Sequence, residues 1–375
     1  MDMMSMTSLL ADATRVARLE RKANGAQCVD LIECGSSKTL CVNKHTKMTT
    51  ADPRLANAAL RELDMHLTLQ QQYKTAQRQQ PRHIVKLHGY RLDGDRLHLL
   101  QEYCARGDLL AVMRHEARMQ KAGFPVASSN KLSTGSEDGV RRIFAQTLQG
   151  VAALHSAGIA HLDLSLENVF LTDDDQVRVG DLGLAERFQR NRMGQIVRHC
   201  PQSIAKVAYA APEMHAAFAA GIPIDVSKAD SWALGVILWQ LWTKQPLFQT
   251  ATRDDSLYRL MEKMGSLEAL QTQPQLTSAP SAVRDLVARL LDISPQTRLS
   301  VREALQHPWL RPSVIVTPHT STAPKLKRVT SGQPTTAGVQ RSITSASAPM
   351  KKGKVRSGSC GGEIALERTR VSIRG

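Results

Sequence analysis

The sequence predicts an α+β chain in two unequal lobes, a small β-rich lobe over about residues 14–103 and a larger helical lobe over about 104–310, followed by a basic tail over 311–375. Three observations predict it. Short apolar runs separated by turn signals fill the first stretch. After Tyr103 the apolar residues recur at helical spacing. From Ser313 onward Ser, Thr, Pro, Gly and Lys/Arg replace any hydrophobic period, so the tail cannot bury enough apolar surface to offset its ordering entropy and is expected to be disordered.

Each element follows in order. Residues 1–13 are expected to form a flexible N-terminus. The runs VDLIEC (29–34), TLCVN (39–43), IVKLHGY (84–90) and LHLLQEY (97–103) read as strands, separated by GSSK and LDGD turns. Between them, Arg54 to Gln72 reads as a helix carrying Leu55, Leu60, Leu63, Leu67 and Leu69. Ser128 to Gly139 is polar and reads as a loop. Ser136-Glu137-Asp138 then precede a helix with Val140, Ile143, Phe144, Leu148, Val151 and Leu154 on one stripe, and Gly158 ends it.

Charge and cysteines narrow the class. The net charge is +15, but residues 312–375 hold +9 of it and the first 311 residues only +6. The basicity is a property of the tail, and suits an acidic partner, nucleic acid, a membrane surface or the cytoskeleton. The cysteines at 28, 34, 41, 104, 200 and 360 form no C-x-x-C pair, which argues against a zinc site or a disulfide framework. The start, MDMMSMTSLL, lacks the basic region of a signal peptide, and Ser231 to Trp242, the most apolar segment, is too short to span a bilayer. An intracellular monomer, cytoplasmic or nuclear, is expected.

Five short motifs stand in a fixed order. They are HLDLSLEN (161–168), Asp181-Leu182-Gly183, Tyr209-Ala210-Ala211-Pro212-Glu213, Asp230-Ser231-Trp232-Ala233-Leu234-Gly235, and Arg298 with His307-Pro308-Trp309. Together they resemble the eukaryotic protein kinase family over about residues 14 to 310, and the D-L-S-L-E-N loop resembles a group of protist kinases. The resemblance implies a two-lobed kinase fold and transfer of the ATP γ-phosphate to Ser or Thr of a protein substrate, with Mg²⁺.

It also implies roles. Lys44 in Cys41-Val42-Asn43-Lys44 would hold the ATP phosphates and Glu62 would fix its ammonium. Lys47 is the competing lysine, but the fifteen-residue spacing from Val29, the valine over the adenine, favours Lys44. Val42, the backbone of Glu102 and Cys104, and Phe170 would surround the adenine, with Gln101 as gatekeeper and Asp108 at the ribose. Asp163 would take the hydroxyl proton, while Asn168 and Asp181 would hold Mg²⁺. Glu213 and Arg298 would form a buried structural ion pair.

The departures from the family pattern are equally specific. The phosphate-covering loop would run from Lys22 to Val29, and its three glycine positions hold Lys22, Asn24 and Gln27, with Gly25 one place off. Leu162 replaces the Arg that pairs a phosphorylated activation segment, and between Leu184 and Ala208 the only hydroxyl is Ser203. Ser165 replaces the catalytic-loop Lys, while Lys206 replaces the Thr of the P+1 loop. The expectation is a relocated cation, Lys206 reaching Asp163 and the γ-phosphate. A pseudokinase scaffold, or a protein whose function lies in its basic tail, are the alternatives.

Overall fold

The computed structural model describes residues 13–311 apart from 23–24, 35–37, 50, 78, 80, 125–131 and 194. The small lobe is a five-stranded antiparallel sheet, ordered β1-β2-β3-β5-β4, from β1 Thr14–Lys22, β2 Gln27–Cys34, β3 Thr39–Lys47, β4 Leu87–Asp93 and β5 Arg96–Glu102. Register decides which side chains share a face. Val29 pairs with Lys44 and Lys44 with Leu99, while Val42 pairs with Gln101. Because side chains alternate along a strand, Val29, Val42, Lys44, Leu97, Leu99 and Gln101 all lie on one face.

That face packs on helix α1, Pro53–Thr75, capped by the Asp52 side chain on the Arg54 N–H with Pro53 in its first turn. The leucine stripe read from the sequence is corrected at Leu60, whereas Leu63 packs on the sheet and Leu69 is buried. α1 buries Ala56, Ala59, Glu62, Met65, His66 and Leu69, while Leu60 is left exposed. The alanines let the helix approach the sheet closely, and this rotation turns Glu62 toward β3.

The large lobe begins with β6 Gly107–Asp108 and α2 Leu109–Lys121. Helix α3, Glu137–Ser156, starts inside the stretch read as a loop: Ser136 caps it by accepting from the Gly139 N–H, so Glu137 and Asp138 belong to its first turn. The stripe from Val140 to Leu154 is buried, and Gly158, at φ +71°, turns the chain out of the helix. Then come β7 Ile159–Ala160, β8 Val169–Leu171, β9 Val177–Val179 and β10 Glu186–Arg187, which pairs with β7. Helices α4 Pro212–Ala220, α5 Val226–Thr243, α6 Ser256–Met264, α7 Ser266–Gln271, α8 Ser281–Leu290 and α9 Val301–Ala304 complete the lobe. α5 is buried almost throughout, and its apolar sequence is that of a core helix; no helix among the described residues is long and apolar enough to cross a membrane. The tail and residues 1–12 lie outside the described residues.

Candidate active site

The cleft between the lobes collects charged residues far apart in number. Lys44 Nζ lies 2.7 Å from Glu62 Oε2 and donates to Asp181 Oδ1 at 2.9 Å. Burial works against this ammonium, but the Asp181 and Glu62 carboxylates outweigh it and hold its pKa above the ordinary lysine value. Lys44 in turn draws the Asp181 pKa well below the usual carboxylate range, against the cost of burial, and Lys22 adds to the depression. Lys47 instead faces Asp95 at 3.6 Å. Register on β3 and the rotation of α1 create the first contact. The second needs Asp181 at φ +59°, a left-handed backbone that aims its carboxylate back at the small lobe.

Gln101, expected as the gatekeeper, and His66, which sequence reasoning missed, complete the back of the cleft. Gln101 Nε2 donates to Glu62 Oε1 at 2.8 Å and stands 3.5 Å from His66 Nε2. Each carboxylate oxygen of Glu62 therefore faces its own nitrogen partner. His66 is buried and uncharged, its pKa drawn down to about 4 first by burial and then by Lys44. The signal was present in the sequence, since position 101 pairs with Val42 on the Lys44 face, but only the helix rotation shows that its amide meets Glu62.

The catalytic loop hangs on α5. Asp230 accepts from the His161 N–H at 2.8 Å, from the Leu162 N–H at 2.9 Å and from His155 Nε2 at 2.8 Å. These bonds hold Leu162 at φ +60°, a conformation unfavourable for a bulky residue. The next residue, Asp163, is thereby projected into the cleft. Asn168 Nδ2 donates to Asp163 Oδ2 at 3.0 Å and to its carbonyl at 2.7 Å. Asp163 Oδ1 is buried and accepts no hydrogen bond among the described residues. Burial raises the Asp163 pKa, opposed chiefly by Lys206.

Lys206 Nζ donates to Ser165 Oγ at 2.6 Å and stands 3.9 Å from both Asp163 Oδ1 and Glu167 Oε2. The P+1-loop cation thus occupies the ground above the very position where the loop lysine is missing. Ser165 itself is fully buried beneath it.

The nucleotide-side residues fall around the same cleft. Gly25 takes φ +90°, so the turn between β1 and β2 uses the glycine one place off the family position; its carbonyl accepts from Arg96 at 3.4 Å. Asn24 lies outside the described residues. Val29 and Val42 project from the sheet face of Lys44. The Glu102 carboxylate turns aside to Arg178 at 3.0 Å and its N–H bonds the Lys86 carbonyl. Cys104 is buried and its carbonyl accepts from the Gly107 N–H. Asp108 serves as the cap of α2, Oδ1 accepting from the Ala111 N–H. Phe170 pairs with Asp108 across β6–β8, and its ring lies where a Cβ on Gly180 would meet it at 3.1 Å.

Asn168 and Asp181 offer an amide oxygen and a carboxylate, hard oxygen donors suited to Mg²⁺, which is held by few protein ligands and completed by phosphate and water. No group of three His, Cys, Asp or Glu side chains among the described residues could hold a metal by itself. The residues present therefore fit a metal shared with a nucleotide.

Glu213 and Arg298 form a two-pronged pair at 2.5 and 2.9 Å, with the guanidinium 5.0 Å over the Trp232 ring and bonded to the carbonyls of Lys228, Asp292 and Ile293.

Comparison with known proteins agrees with this geometry. A stretch of 236 residues, 62% of this chain and 45% of the relative, is 31% identical to CBL-interacting protein kinase 4 of Oryza sativa subsp. japonica. A stretch of 230 residues, 61% of this chain and 26% of the relative, is 30% identical to the SNF-related serine/threonine-protein kinase of Rattus norvegicus. The match spans less than half the length of either relative. The protein kinase domain family matches residues 28–310, most of the chain, and the chain belongs to that family.

Proposed function

We propose that this protein is a Mg²⁺-dependent serine/threonine kinase that transfers the γ-phosphate of ATP to a protein hydroxyl, and that Lys206 replaces the missing loop lysine. One observation carries the reading: Lys44 bridges Glu62 and Asp181 while the unbonded Oδ1 of Asp163 and the Lys206 ammonium face each other across 3.9 Å. An oriented, desolvated carboxylate beside a held cation is what phosphoryl transfer uses and a scaffold does not need. The serine/threonine kinase relatives support the substrate class.

The roles follow from the atoms. Lys44, fixed by Glu62, positions the α- and β-phosphates. Asp163 Oδ1 orients the acceptor hydroxyl and takes its proton as oxygen attacks phosphorus and the bond to ADP breaks. Lys206 faces the γ-phosphate as charge spreads over its oxygens. Asn168 and Asp181 would hold Mg²⁺, which when bound neutralises phosphate charge.

The test is phosphate transfer to a peptide library by the purified protein. Asp163→Asn is expected to abolish transfer while still binding nucleotide. Lys206→Ala should lower kcat by about 10²–10³-fold, the usual loss for one transition-state contact, and Ser165→Lys in that background should recover part of it. Full activity in Lys206→Ala would remove the relocation, and no transfer by the wild type would leave a nucleotide-binding scaffold.

A further inference from the structure

The activation segment between Leu184 and Ala208 is dense in cations, with Arg187, Arg190, Arg192, Arg198 and Lys206, and it holds a single acid, Glu186. That acid is not at the surface. Glu186 is 6% exposed. Its Oε2 accepts from His199 Nε2 at 2.8 Å, and its Oε1 accepts from the Gln202 backbone N–H at 2.8 Å. Both donors belong to the far arm of the same segment. The carboxylate itself is anchored, because Glu186 pairs on β10 with Ala160 of β7, directly before the catalytic loop.

The arm that Glu186 grips is fixed at two further points. The His199 backbone exchanges hydrogen bonds with Ile224, at 3.1 and 3.0 Å, on the way into α5. Arg61 of α1, the neighbour of Glu62, donates to the Gln202 side chain at 2.6 Å. Beyond Gln202 the chain needs only four residues to reach Lys206. A buried carboxylate with two donors therefore holds the arm that leads to the lysine that meets Ser165.

We propose that Glu186 is a positioning residue for phosphoryl transfer: its carboxylate clamps the segment in the conformation that presents Lys206, and so the segment needs no phosphate of its own. The charges are arranged for this. Leu162 offers no cation to a phosphate, and the anion in the clamp, Glu186, sits at the end of the segment that β10 ties to β7, while the imidazole donor, His199, comes from the far arm. Fixing the anion at that end makes the contact permanent, because a side chain, unlike a phosphate, is not removed. The proposal rests on the kinase reading of the cleft.

The experiment uses the full-length protein. Wild type treated with a protein phosphatase, and Ser203→Ala, are each expected to retain full peptide phosphorylation. Glu186→Ala should lower kcat/KM for peptide by about ten- to a hundredfold, the worth of a hydrogen bond to a buried charge, and leave the Kd for Mg-ATP unchanged, since Lys44 is held by Glu62 and Asp181 independently. Glu186→Gln, whose amide oxygen still accepts from Gln202, should lose less than Glu186→Ala. If Glu186→Ala does not fold, His199→Ala reads the same clamp from its more exposed side, with a smaller loss in the same parameter. Loss of wild-type activity on phosphatase treatment, equal activity in the Glu186 and His199 variants, or losses of Mg-ATP binding in step with peptide turnover would each overturn the proposal. Absence of transfer by untreated wild type would instead overturn the kinase reading, so the two failures are distinct.

Discussion

Glu62 shows how one buried side chain can set a whole site. At 1% exposure a carboxylate is stable only if both oxygens have partners. Lys44 supplies one and Gln101 the other, with His66 packed uncharged behind them. The gatekeeper position therefore does more than close the cleft. Replacing Gln101 by Met keeps the volume but leaves Glu62 Oε1 without its donor. Leaving a buried acceptor unsatisfied costs about 1–3 kcal/mol, more for a charged one. Thermal unfolding of Gln101→Met should show that loss, and its KM for ATP should rise because the Lys44 ammonium is less firmly held. An unchanged KM would mean that Asp181 alone suffices to fix Lys44.

Among the elements, α5 has the widest reach. It lies in the core, yet Asp230 on its first turns holds three hydrogen atoms of the catalytic segment and of α3. The left-handed Leu162 is stable only because two of those bonds over-determine it. Asp230→Ala is predicted to lower both kcat and the unfolding midpoint. The expected cost is about 1.5–3 kcal/mol for each lost hydrogen bond to a charged group, less what relaxation of Leu162 returns. A variant that lost stability but kept kcat would show that Asp163 holds its position without this support. The Glu213–Arg298 pair works differently: it fixes the start of α4 to the segment between α8 and α9 and touches none of the reacting groups.

At the scale of the molecule, the site exists only where the lobes meet. Lys44 and Glu62 come from the sheet and α1, and Asp163, Asn168 and Asp181 from the large lobe. One ligand spanning both sets must couple them. Mg-ATP at a hundred times its Kd is expected to raise stability by about 2.7 kcal/mol through binding linkage, seen as a higher unfolding midpoint. Lys44→Met should abolish most of that rise and also lower the unliganded midpoint, because it leaves the buried Glu62 carboxylate without its cation. A full rise in Lys44→Met would show that the nucleotide is held without its phosphate-side lysine.

The sequence by itself determined the class of fold and the order of the motifs. Strands with apolar runs, such as VDLIEC, and the periodic stripe of α3 were legible because burial writes itself into local pattern. The weakest reading fell on β1, whose residues are all exposed and mostly charged, and on α1, where Ala56 and Ala59 are buried while Leu60 is exposed. Neither signal survives in hydrophobicity alone. Only the tertiary structure decided which charges are partners. Lys206 and Ser165 are separated by 41 residues, as the two ends of a 2.6 Å contact, and Glu186 meets His199 and Gln202 across the segment that divides them. A hydrogen bond depends on distance and direction to a fraction of an ångström, and these are set by how helices and strands pack, not by the order of residues along the chain.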